Sequence, residues 1–126
     1  MTGRRTVLLD TNVVLRYLLR DNEEMYRQAS MFLEQVRLGQ RRALLLEGVV
    51  MECVYVLTKF YKVPRDEAVD KLQGILRYKG IRNADRDDLI TALDVFGQKS
   101  IDFVDCILQT RAKSTDAEVF SFDKDV

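Results

Sequence analysis

Four carboxylates stand in local sequences that could aim them at one cleft. Asp10 directly follows the apolar run Val7-Leu8-Leu9 and precedes Thr11-Asn12, which reads as a buried strand handing the chain to a helix. In an open parallel sheet the carboxyl ends of the strands face the crevice where ligands bind, so an acid at that point is placed for chemistry. The pattern returns near the end, where Glu118-Val119-Phe120-Ser121-Phe122 alternates like a strand and Asp123-Lys124-Asp125 follows. Glu52 lies within a mostly apolar helical segment from Glu47 to about Tyr61. A carboxylate is costly to bury there unless it is paired, protonated or bound to a cation. Asp102 and Asp105 are three apart and therefore neighbours on a helix surface. The helix dipole accounts for Asp102 in the first turn; Asp105, beside Cys106 and Ile107, is harder to assign to it.

Each acid also has a structural reading. Asp10 is equally suited to cap a helix, and Glu52 could share a solvated stripe with Lys59. Glu47 and the Asp85 to Asp88 cluster suit helix N-termini. If Asp10, Glu52, Asp105 and Asp123 converge, their charges repel and destabilise the fold unless divalent cations neutralise them. All-oxygen donors without His or Cys suit Mg²⁺ or Mn²⁺. Such ions, in pairs roughly 4 Å apart, activate water and stabilise a leaving oxygen in phosphodiester hydrolysis. The residues thus point to a metal-dependent nuclease.

Composition narrows the alternatives. The chain of 126 residues predicts one domain over 1–126, with a core that needs no disulfide or structural metal. Its 20 basic and 20 acidic residues cancel, so any nucleic acid must be held locally rather than by a global positive field. Arg4, Arg5, Arg41, Arg42, Lys59, Lys62, Arg111 and Lys113 are available to hold phosphates, and most are read as solvated charges. The absence of His excludes Ser-His-Asp and Cys-His hydrolases and His-ligated zinc. Cys53 and Cys106 sit in apolar helical segments, which predicts buried thiols in a reducing cytosol, with a disulfide between them as the alternative. No signal peptide or membrane span is legible, so a cytoplasmic protein is expected.

The elements that must position the acids follow from periodicity. Thr11 and Asn12 are expected to cap a helix over 12–20, and Asp21 and Asn22 a second over 23–38 that Gly39 ends. Ala43 to Leu46 reads as a second strand. Helices follow from Pro64 to about Arg77, from about Asp85 to Gln98, and from a Ser100 cap to about Lys113, with Ile81 to Ala84 as an edge strand or a loop. The order argues for a small α/β sandwich with a parallel sheet, and right-handed crossovers would bring Asp10 and Asp123 to one edge.

Four blocks then resemble one known family: Val7-Leu8-Leu9-Asp10-Thr11-Asn12, Met51-Glu52-Cys53-Val54-Tyr55-Val56-Leu57, Asp102-Phe103-Val104-Asp105-Cys106-Ile107-Leu108 and Phe120-Ser121-Phe122-Asp123-Lys124-Asp125. In that order they look like the acidic blocks of PIN-domain ribonucleases, and the size is similar to VapC toxins of prokaryotic toxin–antitoxin pairs. The resemblance implies a PIN-like three-layer α/β/α sandwich with a small central parallel β-sheet. It makes Asp10 and Asp105 the principal ligands of Mg²⁺ or Mn²⁺, has Asp123 complete the shell, and has Glu52 hold metal-bound water or a second ion. Asn12 and Ser121 would orient the carboxylates, with Asp102 and Asp125 in support. It further implies endonucleolytic cutting of transfer or ribosomal RNA, a VapB-like antitoxin and a homodimer. Family members usually continue into a short strand or tail beyond the fourth block, so the resemblance leaves either a trimmed chain or an open sheet edge.

Two other readings compete. A phosphohydrolase resembling the haloacid dehalogenases would use Asp10 as nucleophile, but that family's Asp-x-Asp needs an acid where Asn12 stands. A PIN-fold module could instead hold RNA or protein without turnover. Within the nuclease reading, a stand-alone RNA-processing enzyme remains beside the toxin.

Overall fold

Val7–Leu8 (β1) and Ala43–Leu44 (β2) pair in parallel, Val7 opposite Ala43 and Leu8 opposite Leu44. In the computed structural model, which describes residues 5–123, Ala43 also bridges Ile81 in parallel on its other side. Backbone bonds alternate as a central strand requires: Val7 N and Leu9 N donate to Arg42 O and Leu44 O, whereas Ala43 N donates to Gly80 O and Ala43 O accepts from Arg82 N. Ile81 to Ala84, read as an edge strand or a loop, thus meets the sheet as an edge reduced to a single bridge. Gly80 permits it, because a Cβ there would stand 2.0 Å from Arg41 O. On the far side, β1 has no strand partner among the described residues.

The helices are α1 (Thr11–Leu19), α2 (Glu23–Arg37), α3 (Glu47–Tyr55), α4 (Arg65–Leu76), α5 (Arg86–Gln98) and α6 (Phe103–Ser114), giving a helix-rich α/β fold around the small parallel sheet. Asn22 caps α2 through Met25 N, and Gly39 ends it at φ 84°, both as patterned. The segment read as one helix to Tyr61 changes at Val56–Phe60 to π-helical winding, next to a Thr58 hydroxyl that donates back to Val54 O at 2.7 Å. The cap of α6 is at position Asp102 rather than Ser100. Leu33 and Val36 of α2, Leu45, Leu57, Leu72 and Leu76, and Leu89 and Leu93 of α5 form the fully buried centre. α5 packs on α4 and α6, and α3 on α1 and α6. Among the described residues, no helix is long and apolar enough to cross a membrane.

One expected strand does not form. Glu118 to Phe122 carry no strand, and Phe120 and Phe122 are 91% and 96% exposed. Alternation produces a strand only where an edge accepts its backbone and a surface covers its rings, and this segment lies on neither.

Candidate active site

Asp10 occupies the N-cap of α1 in extended backbone, and its Oδ2 accepts from Asn12 N at 3.3 Å. The capping reading is thus realised, by Asp10 itself rather than by Thr11 or Asn12. It leaves Asp10 exposed at the end of β1, where the positive end of the helix dipole favours its charge. Thr11 has a different task that sequence reading missed: its hydroxyl donates to Glu52 Oε1 at 2.6 Å across 41 residues of chain. Glu52 is exposed, as the solvated-stripe reading required, yet it faces α1 and not Lys59. The contact ties the first turn of α1 to the middle of α3 and brings Asp10 and Glu52 to one corner.

The Cys53 thiol lies beneath that corner. Burial first, then the charges of Glu52 and Asp10, push it up to about 12, so it remains a protonated thiol near neutrality and is no thiolate ligand. Cys106 is raised by burial against the opposing pull of Arg65. Both cysteines are buried and unbridged, as composition led us to expect.

Asp105 sits half-buried in the first turn of α6, whose packing on α3 places it on the helix adjoining Glu52. Asp102, exposed at the cap position, lines a separate cavity of about 460 Å³ with Tyr55, Lys59, Arg65 and Val104. The approach to α6 is fixed by Arg65. Its Nε donates to Phe96 O at 3.0 Å, its Nη2 to Lys99 O at 2.7 Å and Ile101 O at 2.6 Å, and its guanidinium lies 3.5 Å from the Phe96 ring centre. Asp123 N donates to Ser121 Oγ at 2.9 Å, a local turn that directs this hydroxyl at backbone. Asn12 is exposed and lines a cavity of about 380 Å³ beside β1 with Leu8, Asp10, Arg16, Met25 and Phe32. Asp125 lies outside the described residues.

A second group of acids adjoins this corner. Arg111 of α6 donates through Nη1 to Asp88 Oδ2 at 2.8 Å, and through Nη2 to Asp85 Oδ2 at 3.1 Å and to Glu47. These bonds raise the guanidinium's pKa above its ordinary value, the Glu47 contact most. Arg111 is accordingly engaged by carboxylates, which corrects its reading as a solvated charge or a phosphate holder.

Asp10, Glu52 and Asp105 offer only hard oxygens, which fits Mg²⁺ or Mn²⁺ in donor type. Gathering is another matter: among the described residues no three His, Cys, Asp or Glu side chains form a group that could hold a metal ion. The structure brings two of the acids to one corner and a third to the adjoining helix.

Residues 7–126 match the family model described as PIN domain. A VapC ribonuclease of Aquifex aeolicus (strain VF5) is 28% identical over 116 residues, covering 91% of this chain and 85% of that protein. No solved structure matches the chain.

Proposed function

The chain belongs to the PIN domain family, and we propose that it is an endoribonuclease, the toxin component of a type II toxin–antitoxin pair, working as one domain over 1–126 at the corner formed by Asp10 and Glu52. The observation that carries this reading is the Thr11 to Glu52 bond, which holds the first turn of α1, capped by Asp10, against Glu52 of α3 on a chain of this family. The similarity to a VapC ribonuclease supports RNA as substrate and a VapB-like antitoxin as partner. A homodimer and a cytoplasmic location belong to the same proposal.

A divalent cation, Mg²⁺ or Mn²⁺, held by Asp10, Glu52, Asp105 and Asp123, would supply an activated water and neutralise the phosphate. The chain's own residues do the rest. Asp10 is fixed by its cap to Asn12 N, and Thr11 fixes the carboxylate of Glu52. Asp123 reaches Asp10 if residues 118–122 lie along the unpartnered side of β1. There the cavity lined by Leu8, Met25 and Phe32 offers apolar cover for the rings of Phe120 and Phe122. In the same proposal Asn12, beside Asp10, supports the acids, and Ser121, Asp102 and Asp125 are assigned supporting roles by the family resemblance alone.

A second reading is a non-catalytic module that holds RNA or protein, favoured by the lack of a gathered three-acid group among the described residues. Incubating pooled transfer and ribosomal RNA with the chain in Mg²⁺, in Mn²⁺ and in chelator, beside Asp10→Asn, separates the two. Cutting that requires both metal and Asp10 is expected. A folded chain that binds RNA and cuts none of it under any condition contradicts the nuclease and leaves the module.

A further inference from the structure

We propose that Arg111 is a positioning residue for the acid corner, holding α3 and α6 at the separation that Glu52 and Asp105 require; this rests on the nuclease reading above. One guanidinium closes three long loops at once, reaching Asp88 across 23 residues, Asp85 across 26 and Glu47 across 64. Two of the helices it joins are those that carry the acids. Glu47 precedes Glu52 by five residues on α3 and Arg111 follows Asp105 by six on α6, so at 1.5 Å rise per residue the clamp lies about 7.5 Å and about 9 Å along the helices from their acids. It touches neither acid and can act only by setting the helices.

The surrounding bonds extend the clamp to the sheet. Ser114 Oγ donates to Asp88 Oδ2 at 2.9 Å, and Asn83 Nδ2 donates to Asp85 Oδ1 at 3.1 Å. The same Asn83 side chain pairs with Leu45 at the end of β2, accepting from its N at 2.9 Å and donating to its O at 2.7 Å. A continuous polar path therefore runs from β2 through α5 to α6, with Glu47 of α3 as its fourth anchor. The planar guanidinium divides these contacts between two nitrogens held in a fixed fork, whereas a lysine ammonium would have to make them from a single rotatable nitrogen. Without Arg111, Glu47, Asp85 and Asp88 face one another uncompensated and drive α3, α5 and α6 apart.

The test measures steady-state cleavage of an RNA that the parent cuts, for the parent, Arg111→Lys and Arg111→Ala, below the unfolding temperature of each. Misplacing reacting groups by about 1 Å can cost on the order of a hundredfold, so kcat is expected to fall by about tenfold or more in Arg111→Ala, with KM within about twofold. Arg111→Lys should fall between the two, and if Arg111→Ala does not fold, a kcat for Arg111→Lys below the parent's still supports the clamp. A cross-link of purely structural value would lower the melting temperature and leave kcat of the folded variants at the parent's value. That outcome, with a cutting parent, overturns the proposal alone. A parent that cuts no RNA overturns the nuclease reading and the proposal together.

Discussion

Glu47 and Glu52 lie five residues apart on α3 and are handled in opposite ways. Glu47 joins Asp85 and Asp88 around Arg111, all four side chains being between 25% and 35% exposed. Glu52 and Asp10 have no lysine or arginine partner among the described residues; a hydroxyl and a backbone N–H are their hydrogen-bond donors there. A carboxylate offers about four lone-pair sites, so single neutral donors leave most of each group's capacity facing water. The difference teaches that acid count alone does not mark a site: acids that meet an arginine tie helices together, whereas acids met only by neutral donors are the ones that the proposed function assigns to a ligand.

The largest effect expected from breaking this contrast is at Asp10. Metal-assisted charge stabilisation is worth several kcal/mol, so Asp10→Asn and Asp10→Ala should both slow RNA cleavage by about a hundredfold or more. Asn caps helices as well as Asp does, so only the Ala variant should lose about 1 kcal/mol in denaturant unfolding. Equal stability losses in the two variants would show that the cap is not what Asp10 contributes to the fold.

The corner was partly legible in the sequence, and the reasons divide by range. Val7-Leu8-Leu9 followed by Asp10 is a local signal, since an apolar strand and a capping acid need no distant partner to be recognised. Whether Glu52 faces water or a ligand depends on Thr11, which lies 41 residues away and looks like an ordinary cap. The partners of Arg111 were illegible for the same reason, because no periodicity connects it to Glu47 across 64 residues, and it read as one more surface cation. The π-helical winding at Val56–Phe60 interrupts a hydrophobic rhythm that reads as continuous helix. Residues 118–122 have a strand's alternation, but the fold leaves them without an edge and leaves the edge of β1 without them.

That last mismatch yields the next prediction. If the segment must lie along β1 for cleavage, Phe120→Ser with Phe122→Ser should reduce the rate by about tenfold, one pK-unit equivalent of transition-state stabilisation. Because both rings are more than nine-tenths exposed, the melting temperature should hardly move. An unchanged rate would remove the segment from the site.

Thr11→Val tests the tie between the acids with a smaller expected change. Losing one hydrogen bond to a charged group is worth about 1.5–3 kcal/mol where it is buried and less at an exposed corner, so a decrease in cleavage of about three- to fivefold is expected. Thr11→Ser, which keeps the hydroxyl, should restore the rate; failure to do so would assign the effect to packing.

The smallest effect concerns Cys53. Its thiol is raised in the folded chain from 9.0 to about 12, so between those values the unfolded chain loses the proton first and folding stability falls as pH rises. Below about pH 9 this contribution is fully present. Equilibrium unfolding of Cys53→Ala should therefore show a shallower decline than the parent across that window, and parallel declines would contradict the burial of the thiol.

The two kinds of acid are compared most directly by making one substitution twice, Glu47→Gln and Glu52→Gln, and measuring RNA cleavage by each under the same metal. A glutamine at 47 keeps an oxygen to accept from Arg111, so the rate should stay within about fivefold of the parent, whereas loss of charge at 52 should cost at least about tenfold more than that. Equal rates in the two variants, or a greater loss at 47, would contradict the assignment of the chemistry to the Asp10 and Glu52 corner.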